Sequence, residues 1–361
     1  MARALELAAL GLYSTTPNPR VGCVLVREGE AVGEGWHERA GEAHAEVNAL
    51  RQAGARARGA TVYVSLEPCS HHGRTPPCAH ALVDAGVTRV VAAMSDPDPR
   101  VAGAGFAQLR AAGIQVECGL LEEAARELNI GFVRRMRHGR PWVRVKTAAS
   151  LDGRTALANG TSQWITGPAA RQDGHRWRAR SCAVMTGIGT LLHDNPRLTV
   201  RDIETSRQPL RIVVDRNLEL PVSARILEGG DVLVFTAADE AARARALRAR
   251  GAEVVVAGDA CGKVDLHAAM HELGRRGMNE ILVESGNRLN GALVRAGLVD
   301  ELIVYLAPQL LGDRGRGMFD LGELTVLEQR IDLDVCEVRS IGPDLHLRAR
   351  LRRGASDPSA S

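Results

Sequence analysis

His44-Ala45-Glu46, followed by Pro68-Cys69 and then Cys78, constrains this chain more than any other feature. One imidazole and two thiols supply three metal ligands, and a tetrahedral ion held by three side chains keeps its fourth position open for water. Such an ion lowers the pKa of that water, so hydroxide is available near neutral pH. Glu46 stands two residues from a ligand, so it can sit beside the metal without binding it and move protons there. A fold that uses these residues together must bring two helix starts and one strand end to a single place.

This order and spacing is the signature of hydrolytic zinc deaminases, in which His and two Cys hold Zn²⁺ and a Glu is the proton carrier. Taken singly, such a His or Cys is more often a packed core residue. Pro-Cys after a strand together with His-x-Glu opening a helix reverses that reading in favour of zinc. The thiols are separated by eight residues, Ser70–Pro77, where the short form of the signature has two. His71 and His72 lie in that insert as rival ligands. Cys78 ranks above them, because Pro76-Pro77 precede it and apolar helical spacing follows, which puts its thiol at a helix start where the dipole favours thiolate.

The 361 residues suffice for two ordinary domains, and 45% apolar with 25% charged content belongs to a soluble globular protein. No apolar run approaches the length of a membrane span, and Met1–Glu6 reads as an amphipathic helix, not a signal peptide. Seven Cys is an odd number, and five of them (Cys23, Cys118, Cys182, Cys261, Cys336) are scattered, which suits a reducing, cytoplasmic compartment. A net charge of +3 and only 3% aromatics argue against a nucleic-acid partner and toward a small molecule.

Helices are expected over residues 1–12, from His44, over Cys78–Ala85 and Gly103–Ala112, with strands at Val21–Val26, Ala31–Trp36, Thr61–Ser65 and Val87–Ala93. One long helix is expected over Leu121–Arg137, ending in the basic cluster Arg134–Pro141, where the domain boundary is placed. A second α/β pattern follows, with strands at Val143–Ala148, Ala183–Gly187, Leu210–Asp215, Val232–Phe235, Val254–Val256, Ile281–Glu284 and Leu302–Leu306, and helices at Ala169–Arg180, Glu240–Arg250 and Asn287–Ala296. Val335–Arg339 and Leu345–Arg350 are terminal strand candidates. The alternation predicts α/β architecture with mainly parallel sheets and a site at a sheet edge. The domains are 1–139 and 140–352, with a flexible tail over 353–361.

Two Gly-containing turns follow strands in the second half: Thr186-Gly187-Ile188-Gly189-Thr190, and Glu284–Gly291 just before a helix. Glycine lets a backbone approach a phosphate, and a helix N-terminus attracts the anion. Neither turn fits the Rossmann fingerprint, and glycine there is also ordinary punctuation. The residues alone indicate a second ligand-binding domain.

Both halves resemble one family, the bifunctional riboflavin-biosynthesis proteins that join a diaminohydroxyphosphoribosylaminopyrimidine deaminase to a 5-amino-6-(5-phosphoribosylamino)uracil reductase. The likeness rests on Thr16–Gly22, Gly41–Glu46 and Leu66–Cys78, which contains the long thiol spacing, and on Lys146–Arg154, Ser162–Thr166, Asp194–Thr199 and Ala307–Gly312. It implies a cytidine-deaminase-like N-terminal domain and a dihydrofolate-reductase-like C-terminal domain that uses NADPH. By that likeness His44, Cys69 and Cys78 bind Zn²⁺, Glu46 is the proton shuttle, and Asn18, His37 and Arg74 touch the substrate. It places Ala148, Trp164, Thr190, Asp194 and the turn Gly286, Asn287, Arg288, Leu289, Asn290, Gly291, Ala292 at the NADPH. It places Ser162, Arg178, Leu198, Arg201 and Glu284 at the substrate, with both arginines as phosphate ligands. Arg216 departs from the family, many members of which carry Ser there.

The resemblance implies two reactions: hydrolytic deamination of the phosphorylated ribosylaminopyrimidine, then hydride delivery to C1′ of its ribosyl group. Lys146 and Asp152 are the candidate acids for the second. A homo-oligomer, dimer or tetramer, is expected. Two rivals are a nucleoside or nucleic-acid deaminase with an accessory domain and a zinc-stabilised regulatory binding protein. Near-neutral charge opposes the first. Glu46 opposes the second, because a closed four-ligand structural site needs no carboxylate beside it.

Overall fold

The structure, a computed structural model, describes residues 1–70, 77–99 and 101–352. His71, His72, Arg74 and the tail over 353–361 therefore lie outside the described residues. Contacts divide the chain into two compact units, Met1–Gly139 and the chain from Arg140 onward.

The first unit runs α1 (Ala2–Leu10), β1 (Gly22–Arg27), β2 (Glu30–Trp36), α2 (Ala45–Ala53), β3 (Thr61–Val64), α3 (Cys78–Asp84), β4 (Arg89–Ala92), α4 (Ala104–Ala111), β5 (Gln115–Cys118), α5 (Glu122–Leu128) and α6 (Ile130–His138). Its sheet has the order β2-β1-β3-β4-β5. β1 is antiparallel to both neighbours, while β3, β4 and β5 are parallel. Small residues let α2 lie directly on β2. A Cβ on Gly35 would stand 2.5 Å from the Ala45 carbonyl, so only glycine admits this approach, and Ala45, Ala49 and Ala53 bury the facing stripe. The N-terminus of α2, which carries His44 and Glu46, is thereby fixed against the sheet.

The expected single helix over Leu121–Arg137 is instead two, α5 and α6, broken at Asn129. The buried Asn129 side chain accepts from the Arg20 N–H at 2.8 Å and donates to the Arg20 carbonyl at 2.9 Å. Its backbone, at φ −109° and ψ 21°, leaves the helical range to make that pairing.

The second unit runs β6 (Trp142–Ser150), β7 (Arg154–Ala156), α7 (Pro168–Arg180), β8 (Ala183–Gly187), α8 (Ile188–Asp194), β9 (Leu210–Val214), β10 (Val232–Thr236), α9 (Ala241–Ala249), β11 (Ala252–Val256), α10 (Leu266–Arg275), β12 (Glu280–Val283), α11 (Asn287–Arg295), β13 (Glu301–Ala307), β14 (Arg316–Gly317), β15 (Leu333–Ile341) and β16 (Asp344–Leu351). Nine strands form one sheet in the order β11-β10-β9-β8-β12-β6-β13-β16-β15, and β7 pairs with β14 apart from it. The pairings from β11 to β13 are parallel, and the last two are antiparallel. The central strands bury both faces, as parallel strands do. Val143, Val145, Met185 and Ile281 join one core, and Val184, Val213, Leu282 and Ile303 the other. β12 returns between β6 and β8, so the strand order reverses there, and open α/β sheets place their ligands at the carboxyl ends of strands at such a point.

The amino ends of β6, β12 and β13 hold a buried charge network. Arg144 on β6, fully enclosed, donates to Glu280 of β12 and Glu301 of β13. Arg180 adds a bond to Glu280 at 2.8 Å and Arg348 one to Glu301 at 3.0 Å. Burial pushes the Glu301 carboxyl up, but the Arg144 and Arg348 charges and the hydrogen bonds from Arg144 and Trp142 together outweigh it and hold the group below its ordinary value.

Replacing Arg144 with Leu removes the innermost cation and leaves each buried carboxylate with only its outer arginine, Arg180 or Arg348. We expect a loss of about 3–5 kcal/mol, seen as a lower urea midpoint followed by tryptophan fluorescence. Because the Glu301 pKa is depressed in the folded state, its contribution is present above the ordinary carboxylate range and is lost as the pH falls through it. The wild type should therefore lose stability toward acid more steeply than the variant. An unchanged midpoint would refute this account of the network.

Candidate functional sites

In the first unit, three elements bring the metal-type ligands together. His44 is the residue before α2, Cys69 follows the end of β3 through Leu66-Glu67-Pro68, and Cys78 opens α3. The His44 Nδ1 lies 3.2 Å from the Cys78 Sγ and 3.5 Å from the Cys69 Sγ, and the three ligand atoms all fall within 4.8 Å of one another. Two thiols and an imidazole at this spacing suit a tetrahedral soft-ligand metal such as zinc. The Cys78 thiol and backbone N–H and His44 all bond the Cys69 sulfur, pushing that thiol down to about 4, while Cys78, which shares its proton, is pushed up.

Glu46, the second residue of α2, is buried beside them. Burial and the negative Cys69 sulfur push its carboxyl up to about 7. His37 lies edge-on to His44 with ring centroids 5.3 Å apart. Its Nδ1 is 3.1 Å from the Ala43 carbonyl and its Nε2 is 3.0 Å from the Asn18 Nδ2, so the proton belongs on Nδ1 and the amide donates to Nε2. Burial lowers the His37 pKa, in keeping with a neutral ring. Asn18, His37, His44, Glu46 and Cys69 line one cavity of about 540 Å³, closed on its apolar side by Phe132 and Met136. That volume suits a small ligand.

Glu67 is a residue whose role sequence reasoning missed. Its buried carboxylate accepts from four backbone N–H groups: Asp96 at 3.1 Å, Gly103 at 3.0 Å, Gly105 at 3.0 Å and Phe106 at 3.3 Å. It thus serves the first turn of α4 and the segment before it, and α4 lies so close that a Cβ on Gly105 would stand 2.0 Å from the Pro68 carbonyl. The only sequence signal is an acidic residue beside Pro-Cys, which does not reveal partners some thirty residues away.

In the second unit the two glycine turns meet. A Cβ on Gly187 would touch the Leu289 side chain at 3.5 Å, and one on Gly286 would lie 3.9 Å from the Thr190 Oγ1. Gly189 has open space beside it, and no side chain caps the N-terminus of α11 at Gly286. The Asn290 side chain is committed internally to Ser285 and the Met318 carbonyl, and Gly291 packs against Asp320. Ala148 is half-buried on β6, Asp194 closes α8, and Ser162 is half-buried in the loop before α7. Trp164 is exposed, with the Arg171 guanidinium 4.7 Å over its ring. The Arg216 guanidinium lies 3.5 Å from where a Cβ on Gly262 would sit.

Glu284, just past β12, is the centre of the polar cluster. Arg178 of α7 donates to it at 2.9 Å, and the Lys146 Nζ stands 3.7 Å away. Burial pushes the carboxyl up, but the Arg178 and Lys146 charges prevail and hold it at about 2. Gly174 lies over that lysine, where a Cβ would make an ordinary contact with the Lys146 Cε at 3.8 Å. Arg178 also donates to the Thr199 carbonyl at 3.1 Å, and the Arg201 side chain approaches the Thr199 hydroxyl at 3.4 Å. Leu198 is buried in the core beneath. Asp152 is committed elsewhere: it accepts from the Ser150 hydroxyl and from the Leu311 and Gly312 N–H groups, which hold it at about 2.

The model of the cytidine and deoxycytidylate deaminase zinc-binding region matches residues 1–94, and that of the RibD C-terminal domain matches residues 141–347. The chain is 51% identical to the riboflavin biosynthesis protein RibD of Escherichia coli K12, covering 96% of this chain and 98% of that one. It is 41% identical to RibD of Aquifex aeolicus, covering 96% of each. Among solved structures, Acinetobacter baumannii RibD superposes with a TM-score of 0.91 at 45% identity over 98% of both chains. A deaminase/reductase from Thermotoga maritima, described as acting on diaminohydroxyphosphoribosylaminopyrimidine and 5-amino-6-(5-phosphoribosylamino)uracil, gives 0.86 at 34% identity over 98% of this chain and 97% of that one. These relatives run through both units, so the second half is no accessory to a nucleoside deaminase. The chain belongs to the RibD family of riboflavin-biosynthesis proteins, bifunctional enzymes that join a zinc-dependent deaminase to an NADPH-dependent reductase.

Proposed function

We propose that residues 1–139 deaminate 2,5-diamino-6-ribosylamino-4(3H)-pyrimidinone 5′-phosphate and residues 140–352 reduce the product to 5-amino-6-(5-phospho-D-ribitylamino)uracil. The observation that carries the reading is the buried Glu46 beside His44, Cys69 and Cys78 in one ligand-sized cavity. His44, Cys69 and Cys78 would hold Zn²⁺, which when bound makes a water available as a nucleophile near neutral pH. Glu46 takes a proton from that water on its carboxylate and returns it to the departing amino group. Asn18 and His37, locked to each other at 3.0 Å, orient the pyrimidine within the cavity. Arg74 serves the substrate phosphate by virtue of its guanidinium geometry.

In the second unit the turns at Gly187–Thr190 and Gly286–Ala292, with Ala148, Trp164 and Asp194, would receive NADPH, which supplies the hydride. Ser162, Leu198, Arg201 and the Arg178–Glu284 pair form the substrate side. Asp152 is already ionised and bonded, so Lys146, held against Glu284, is the group with a proton to give. The chain acts in the cytoplasm as a homo-oligomer on a small molecule, and neither nucleic acid nor membrane is a partner. Edge strand β15 supports the oligomer, since it exposes Val335 and Val338. Among the described residues no helix is long and apolar enough to cross a membrane.

Three variants test this reading. Cys78→Ser should lose both bound zinc and ammonia release, with zinc read by atomic absorption. Full zinc content in that protein would discard the ligand set. Glu46→Gln should keep zinc and lose deamination by about 10²–10⁴-fold, yet still oxidise NADPH when given the deaminated intermediate. Substantial ammonia release by the zinc-replete protein would remove Glu46 from the mechanism. Arg201→Ala should weaken binding of the intermediate by about 1.5–3 kcal/mol, read as a raised KM for reduction with deamination largely intact. Loss of both activities in the folded protein would contradict two independent sites.

A further inference from the structure

The segment Thr199-Val200-Arg201 is held residue by residue. The Arg178 Nη1 donates to the Thr199 carbonyl at 3.1 Å. The Gln208 amide takes both polar groups of Val200, accepting from its N–H at 2.7 Å and donating to its carbonyl at 3.2 Å. The His175 Nδ1 accepts the Arg201 N–H at 3.2 Å. On each flank stands a non-glycine residue in the left-handed region, Leu198 at φ 54° and Asp202 at φ 61°. Such conformations are unfavourable for side-chain-bearing residues and persist where the surroundings over-determine them. What this mount presents is the Arg201 guanidinium, which is exposed.

We propose that His175 and Gln208 are positioning residues of the reductase, which fix the main chain at Val200 and Arg201 and so aim the Arg201 guanidinium at the substrate phosphate. The proposal rests on the reading of Arg201 as a phosphate ligand. His175 sits on α7 one turn before Arg178 and is nearly buried. Burial first, then the Arg178 and Arg201 charges, push its imidazole down to about 4, so Nδ1 keeps its lone pair at neutral pH. An aimed guanidinium binds better than a free one, because its ordering cost is met before the substrate arrives.

The test is steady-state reduction of the deaminated intermediate by the full-length enzyme carrying His175→Phe, His175→Asn, Gln208→Met, Arg201→Ala, or His175→Phe with Arg201→Ala. Circular dichroism checks folding. His175→Phe should raise the KM for the intermediate about tenfold, with kcat and the KM for NADPH within about twofold. His175→Asn, whose amide oxygen can accept the same N–H, should restore most of the loss. Gln208→Met should raise the same KM, and carries the test should His175→Phe not fold. The double variant should be no worse than Arg201→Ala alone, since both changes remove one contact. If Arg201→Ala leaves the KM unchanged, the phosphate reading fails and this proposal with it. If Arg201→Ala raises the KM while the folded His175 and Gln208 variants do not, or if the His175 loss adds in full to that of Arg201→Ala, the positioning role alone is overturned.

Discussion

A guanidinium enclosed between two carboxylates joins the three adjacent strands at the middle of the larger sheet. Arg144 on β6 reaches Glu280 on β12 and Glu301 on β13, and each partner carries a second arginine. Three charges buried this way are costly unless every one is answered, so the network tolerates little slippage. In a strand, slipping by one residue sends every side chain to the opposite face. The register that matches Arg144 with Leu282 and with Glu301 is also the register that brings Lys146 beside Glu284, two residues further toward the carboxyl ends. Charge at one end of the strands thus specifies the chemistry at the other.

The helix laid over that face is correspondingly unusual in what it buries. α7 turns Asp173, Gly174 and His175 inward. Asp173 accepts the Tyr305 hydroxyl at 2.6 Å, Gly174 lies over the lysine, and His175 serves the loop. Asp173 and His175 answer polar groups of the sheet and of the Arg201 loop, where a simple amphipathic helix would bury an apolar stripe. In the smaller unit the packing is the reverse, alanine and glycine against a strand, and its polar devices are confined to helix starts and strand ends.

What could be read from the sequence follows how local each determinant is. His44, Glu46, Cys69 and Cys78 were legible because ligand chemistry, the Pro before a thiol and the start of an apolar period are all contained in short windows. The parallel sheets were legible from alternation. Asn129 was not, because the helical period runs through it and only its pairing with Arg20, over a hundred residues away, breaks the helix. α10 was overlooked although its start is marked: Asp265 accepts from the Ala268 N–H at 3.0 Å, and Ala269, Met270 and Leu273 bury one face. His175 and Gln208 left no trace, since a histidine or glutamine that bonds a distant main chain looks like any other. The family resemblance supplied Arg178, Arg201 and Glu284; the folded chain adds that the first and last are partners.

Glu67 carries a consequence of a different kind. Four amides spread from Asp96 to Phe106 share its one carboxylate. No member of that set can open alone without leaving its neighbours' acceptor dry and partly unanswered. The cavity wall that includes Asp96 and Val101 is therefore tied into one piece with the start of α4 through a single side chain. Since Glu67 stands two residues before Cys69, the anchor of that wall and the presentation of the thiol belong to one short stretch of backbone.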